Sequence, residues 1–325
     1  MAKAQPSDAG FCVDLHVHTW HSRLSFPALK ARDCYAKPWE VYQCARQRGM
    51  SLVTFTDHDT IDGCLELLDQ KGPLEDFFIS EEVSVSDPRS GNRFHVSVFD
   101  IDEKRHAEIQ RLRGDVRELA GYLSREGIPA SVNHLGSSLV TRAGSLGDLL
   151  EIIVAFPLIE TRNGAQSPES NRVAELVAGN LGHQGRPMGK VGGSDAHTLR
   201  RIGRTWTRAR ASDRKSFLAC LAAGRVESQG QEAPLGPLLQ DVYEVVAHYY
   251  RDVLRNPHGH FTASDWPLAA GCALLSLPLH LVALPVAATL LRRWRVRRAV
   301  GDLARDLAQA PQWEPLSYHP TPRKA

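Results

Sequence analysis

Imidazole and carboxylate side chains recur at the ends of apolar segments along the first two-thirds of this 325-residue chain. That placement limits the fold more than any composition figure. Residues 11–16 read as a buried strand ending in histidines. Residues 51–56 (SLVTFT) are β-branched and apolar and run into Asp57 and His58. Residues 77–85 read as a strand containing Glu81 and Glu82, and residues 94–101 as one carrying His95. Residues 129–133 lead into His134, residues 152–160 run toward Arg162 and Asn163, and residues 190–193 precede Ser194-Asp195-Ala196-His197. Helical patterns lie between them: 39–47, closed by Gly49, then 103–125 as one long amphipathic helix, and 168–181. Strands alternating with helices predict an α/β fold with a mostly parallel sheet, whose chemistry gathers at the C-terminal strand ends. So many convergent ends favour a barrel over an open sheet.

Hydrophobic residues make up 42% and charged residues 23%, a globular composition that excludes a disordered or fibrous chain. A net charge of +2, from 39 basic and 37 acidic residues, excludes a global basic field for nucleic acid. Cys12, Cys34, Cys44, Cys64, Cys220 and Cys272 form no CxxC pair, so zinc-ribbon and thioredoxin readings are set aside. Free thiols in a reducing cytoplasm are expected. The start, MAKAQPSDAG, has no apolar signal core, so a secreted catalytic domain is not expected.

His16 and His18 are two residues apart, a spacing that points both side chains to one face of a strand. Asp57-His58-Asp59 forms a second cluster, Glu82, His95 and His134 stand in or beside strands, and Asp195 with His197 repeats the spacing of two. A single histidine at a strand end is most simply a hydrogen-bonded structural residue, and that reading holds for His106, His183, His248 and His319. It fails for the set, because burying so many imidazoles and carboxylates together without cations is costly. Donors without thiolate suit Zn, Mn or Fe at a catalytic site.

Taken together, Asp14–Thr19 (DLHVHT), Thr56–Thr60 (TDHDT), Glu82-Val83-Ser84, His95, Asn133-His134 and Gly193–His197 (GSDAH) resemble the polymerase-and-histidinol-phosphatase (PHP) superfamily of metal-dependent phosphoesterases. The resemblance spans residues 13–225. It implies a distorted (β/α)7 barrel with two or three divalent ions at its C-terminal mouth, followed here by a helical, apolar appendage. It implies that His16 and His18 bind a first ion, with Glu82 bridging and Asp195 completing the cluster. His95 and His134 then serve a second ion, and His58 and His197 a third, with His21 and Glu160 as further candidates. Leu135 and Ser80 depart from the proline and glycine usual in relatives, without removing a ligand. Glu81 competes with Glu82, and the sequence EVS favours Glu82.

Such a site hydrolyses a phosphomonoester through a hydroxide bridging the ions. His197 or Asp57 is the expected proton carrier, and Arg142, Arg162, Arg200 and Arg201 are candidate clamps for the phosphate oxygens. The motif set looks most like the branch acting on nucleoside bisphosphates or short 5′-phosphorylated oligonucleotides. A histidinol-phosphate phosphatase is the alternative, and a degenerate metal-binding scaffold is the non-enzyme one.

Residues 266–291 contain no Asp, Glu, Lys or Arg and are followed by five arginines between Arg292 and Arg298. The length would cross a bilayer, but Pro267, Pro278 and Pro285 interrupt a straight helix. The sequence therefore divides into a tail (1–12), a catalytic barrel (13–229), a linker and helix (230–265), an apolar segment with a basic flank (266–298) and a tail (299–325). The apolar segment is expected either to meet an anionic membrane surface on the cytoplasmic side, as a re-entrant or interfacial hairpin, or to pack on the barrel.

Overall fold

The computed structural model describes residues 10–22, 24–26, 30–141, 145–183, 185–256 and 261–309. In chain order its elements begin with β1 (Phe11–Val13), β2 (Leu24–Phe26), β3 (Ala31–Arg32), α1 (Pro38–Gln47), α2 (Asp62–Lys71), β4 (Ser80–Ser86) and β5 (Arg93–Phe99). Then come α3 (Glu103–Leu112), α4 (Val116–Glu126), β6 (Ala130–Val132), the single-turn α5 (Leu135–Ser138), α6 (Leu146–Val154), β7 (Leu158–Asn163) and α7 (Pro168–His183). The last third holds β8 (Gly189–Gly193), β9 (Thr205–Ala209), α8 (Arg214–Ala222), β10 (Glu227–Gly230), α9 (Leu235–Arg255), α10 (Trp266–Val282) and α11 (Leu284–Gln309).

The main sheet has the order β4-β5-β6-β7-β8, antiparallel from β4 to β6 and parallel from β6 to β8. A second sheet, β1-β9-β10, is antiparallel, and β2 pairs with β3. The fold is thus mixed α/β with parallel strands, and the sheet does not close into the expected barrel. The reason is local. Residues 14–18 and 51–59 spend backbone groups on side chains: Val17 N donates to Thr56 Oγ1 at 3.0 Å and Ser194 N to Asp14 Oδ1 at 2.8 Å. These segments form isolated bridges, Val17 to Ala196, Val53 to Phe77 and His58 to Glu82, and scattered backbone hydrogen bonds such as Thr56 N to Val17 O, without a continuous ladder.

Two sequence expectations for the helices change as well. The helix expected over 103–125 is two helices, because Asp115 caps the second by accepting from Arg117 N at 2.9 Å. Residues 152–154, expected to start a strand, end α6, which Ser145 and Asp148 open with reciprocal caps. The strand begins only at Leu158.

Val83, Val85, Phe94, Val96, Val98 and Val132 form the inner face of the main core, against Val116, Leu119, Ala120 and Leu123 of α4. Those α4 positions follow the spacing of one helix face. Val296, Val300 and Leu303 of α11 enter the same core beside Leu135, Leu139, Leu149 and Val173. Residues 299–309, expected as tail, are helix, and that stretch of α11 packs into the core. Leu303 has no exposed surface. Leu303→Ala should cost about 2–5 kcal/mol and lower the thermal midpoint by several degrees. An unchanged midpoint in calorimetry would remove α11 from the core.

Candidate metal centre

Glu82, fully buried in β4, stands at the centre of the clustered histidines. Its Oε2 lies 3.2 Å from His16 Nε2, 3.6 Å from His18 Nε2 and 3.1 Å from His58 Nδ1. Its Oε1 lies 3.3 Å from His95 Nδ1 and 3.0 Å from His134 Nε2. Asp195 Oδ1 faces the same space, 3.5 Å from His16 Nε2, 3.4 Å from His18 Nε2 and 3.7 Å from His197 Nδ1. The His16 and His18 rings are 5.2 Å apart, His18 and His58 4.7 Å, His18 and His197 4.4 Å, and His95 and His134 5.0 Å.

Local structure aims these groups. Glu82 faces the cluster while its neighbour Glu81 pairs with His106 at 2.9 Å and Gln110 at 2.7 Å, so the alternation of β4 decides between the two glutamates. His106 is thereby structural, as expected, while His319 lies outside the described residues. His134 and Asp195 stand just past β6 and β8 with φ of 25° and 50°. The left-handed region is costly for residues with a Cβ and is typical of functional sites. Gly193 leaves room for His16: a Cβ there would lie 2.2 Å from His16 Cβ.

Compact donor triads form from His16, His18 and Glu82; from His58, Glu82 and His95; from His16, His134 and Asp195; and from His18, His58 and His197. The grouping departs from the expected one. His58 joins Glu82 and His95 as well as His197, and His134 joins His16 and Asp195. Buried His16 Nε2, His18 Nε2, His95 Nδ1, His134 Nδ1 and Glu82 Oε2 have close neighbours but no aligned hydrogen bond. Buried polar atoms are nearly always satisfied, so donors converging without hydrogen bonds fit divalent cations between them. The nitrogen and oxygen donor set fits Zn, Mn or Fe.

The electrostatics agree. Burial would raise Glu82, yet His16, His58, His95 and the hydrogen bond from His134 hold it well below the usual carboxylate range. Asp195 is likewise held down against its burial, chiefly by His16 and the nearby His18. Burial and the neighbouring His197 push His18 down to about 4, so it stays neutral and able to ligate. His16 is raised against its burial by Glu82, Asp195 and Glu160.

A layer of polar residues behind the donors fixes them. Glu160 Oε1 meets His16 Nδ1 at 2.9 Å, and its Oε2 accepts from His134 N at 2.7 Å. Asn163 Nδ2 donates to Glu160 Oε2 at 2.9 Å and Asp195 Oδ2 at 3.2 Å, while Asn133 Nδ2 donates to Glu82 Oε1 at 2.9 Å. Asp14 accepts from Ser194 N and Gly203 N, and Ser22 Oγ lies 3.3 Å from His18 Nδ1. Sequence reading assigned no role to Asn133, Asn163, Asp14 or Ser22. Three of these are in or beside the quoted motifs, and a polar residue flanking each ligand, before it in Asp14 and Asn133, was the available signal.

Other expected residues sit elsewhere. Glu160 orients His16 and is not itself in a donor triad. His21 turns to Glu66, at 2.5 Å, away from the cluster. Asp57 accepts from Thr19 N at 2.6 Å and Thr19 Oγ1 at 2.7 Å, so its carboxylate is committed to the backbone behind the ligands and is not a free proton carrier. Burial pushes it up to about 7. His197 is 29% exposed and groups with the donors His18 and His58, which makes it a candidate ligand at the rim. Arg162 contacts Gly230 O and Glu232, Arg200 contacts Glu244 and Asp241, and Arg201 contacts Gly164 O and Asp241. All three are held by protein partners, and of them Arg201 also feels the charge of Asp195. Arg142 lies outside the described residues.

Residues 168–226, which include Asp195 and His197, match a family model described as PHP-associated. An uncharacterized protein of Methanocaldococcus jannaschii is 38% identical over 55 residues, 17% of this chain and 32% of that protein. The chain thus matches about a third of that relative's length. A protein proposed to be a metal-dependent phosphoesterase from Bifidobacterium adolescentis is similar in structure at 15% identity. It covers 69% of this chain and 98% of its own, with a TM-score of 0.44. A two-domain protein from Bacteroides vulgatus, described as containing a PHP-like metal-dependent phosphoesterase, is similar at 16% identity. It covers 73% of this chain and 70% of its own, with a TM-score of 0.47. An amidohydrolase from Chromobacterium violaceum is similar at 18% identity over 59% of this chain and 89% of its own, with a TM-score of 0.43.

Loss of the Glu160 carboxylate should free His16 to rotate. Glu160→Gln should weaken divalent-metal affinity about 10–100-fold in calorimetric titration, with the fold retained. Affinity equal to that of the unaltered protein would show that Glu160 does not orient a ligand.

Proposed function

We propose that this chain, a member of the PHP superfamily, is a metal-dependent phosphoesterase. One observation carries the reading: Glu82 and Asp195 converge with six histidines, and among the facing atoms His16 Nε2, His18 Nε2, His95 Nδ1 and Glu82 Oε2 form no hydrogen bond. The PHP-associated match over 168–226 and the sequence motifs outside it support the reading too.

Divalent ions bound there would supply a Lewis acid for the phosphoryl oxygens and an acidified water. The protein's own part is positional. Glu82 belongs to two triads and would hold neighbouring ions at a fixed separation. Glu160 directs the His16 Nε2 lone pair inward by engaging Nδ1, and Asn163 ties Glu160 to Asp195 so that both move as one unit. His95, 23% exposed, and His197 are the more open sides of the cluster, where an anionic ester would enter. With Arg162, Arg200 and Arg201 committed elsewhere, charge neutralisation of the ester falls to the ions and imidazoles.

The substrate we favour is a phosphomonoester of nucleotide type, a nucleoside bisphosphate or a short 5′-phosphorylated oligonucleotide. The motif set and the absence of a broad basic field support it. Two or three ions of Mn, Zn or Fe would serve the site, held by ligands within residues 13–229. The compartment is the cytoplasm, where six free cysteines stay reduced.

His16→Ala and Asp195→Asn should each abolish phosphomonoesterase activity with Mn, Zn or Fe supplied in turn, while circular dichroism stays native. Full turnover by both variants, or none by the unaltered protein with any of these metals on a panel of phosphomonoesters, would defeat the proposal. The second result, with metal bound, would favour a scaffold. Ions that bind only the folded chain stabilise it, so chelation should lower the thermal midpoint by several degrees, reversibly on metal return. A midpoint indifferent to chelator would argue against a loaded site.

A further inference from the structure

Of the thirteen large apolar residues exposed among the described residues, ten lie between Trp266 and Trp294. Leu268 is 62% exposed, Leu275 83%, Leu279 59% and Leu281 63%, and Leu284, Leu290 and Leu291 continue the surface into α11. Soluble surfaces rarely gather apolar side chains so densely without a partner for them. The opposite face of α10 is satisfied, since Ala269 and Ala273 pack with Tyr35, Tyr249, Val253 and Phe261. No acidic residue occurs from Trp266 to Gly301, and exposed Arg292, Arg295, Arg297 and Arg298 follow the leucines directly.

We infer that the elbow of α10 and α11 docks this protein onto the surface of an anionic lipid bilayer without crossing it. Apolar side chains bordered by exposed cations match the acyl boundary and the headgroups in that order. Crossing is opposed by two features. No single described helix is long and apolar enough to span, and α10 and α11 meet at a 65° bend. The second half of α11 is also unavailable, because Val296, Val300 and Leu303 are seated in the main core. Three arginines of the basic run serve the protein as well: Arg292 contacts Ser137, Arg293 contacts Ala233 O and Arg297 pairs with Glu169. Arg295 and Arg298 are therefore the residues chosen for the electrostatic part. The start of α10 is tied to the rest of the chain by Lys30, which pairs with Asp265, and α9 beside it holds Thr198 and Arg201 through Asp241.

The test is co-sedimentation of the full chain with phosphatidylcholine vesicles, with or without phosphatidylglycerol, together with light scattering in solution. The unaltered protein should pellet with the anionic vesicles and release as salt rises. Arg295→Gln with Arg298→Gln should lower the partition coefficient about thirtyfold. Leu275→Glu with Leu279→Glu should stay in the supernatant with both lipids, its thermal midpoint unchanged because both positions are exposed. An unaltered protein that remains soluble beside anionic vesicles would overturn the inference. So would a dimer in solution that the leucine variant dissociates, since a second copy would then cover the face. Neither outcome bears on the phosphoesterase reading, which activity in solution decides.

Discussion

A carboxylate with no exposure to water and five imidazoles within 3.6 Å is the constraint on which the rest is built. Glu82 can stay ionised there only because positive or coordinating groups approach it from several directions. Those groups arrive on separate segments: His16 and His18 from the N-terminal stretch, His58 after residues 51–57, His95 from β5, and His134 and Asp195 from beyond β6 and β8. The central strand of the site therefore sits where all of them can reach it. The irregular pairing of residues 14–18 and 51–59 follows from the same demand, because polar side chains there take backbone partners that a regular ladder would otherwise claim.

Much of the centre was legible because each donor follows an apolar run, and the end of a strand is where a side chain can leave the sheet and meet others. The α/β alternation was legible for the same reason. What escaped reading depends on pairings between distant residues. Nothing near Glu160 announces that it will meet His16, and nothing near Arg201 announces Asp241. The arginines were suspected because they adjoin motifs, but adjacency in sequence does not fix where a long side chain ends. Residues 152–160 misled differently. A continuous apolar stretch has no period, so helix and strand cannot be told apart until a cap such as Ser145 is weighed.

The C-terminal third shows the converse error. Five arginines in seven positions hide Val296, Val300 and Leu303, whose spacing of four and three marks a buried helix face. Charge density suggested a flank lying outside the globule, yet long cationic stems can border a core while their heads reach solvent. The same helix thus joins the interior at one end and presents leucines at the other.

The ties between His16 and the loop after β8, where Asp195 N donates to His16 O, join opposite ends of the ligand-bearing chain. Closing so large a loop is slow, because its entropy must be lost before any contact compensates. During synthesis the first histidines emerge long before their partners, and the core waits longer still for Leu303. A site built this way would be complete only after nearly the whole polypeptide has left the ribosome, and a nascent chain stalled earlier would present its first imidazoles without their partners.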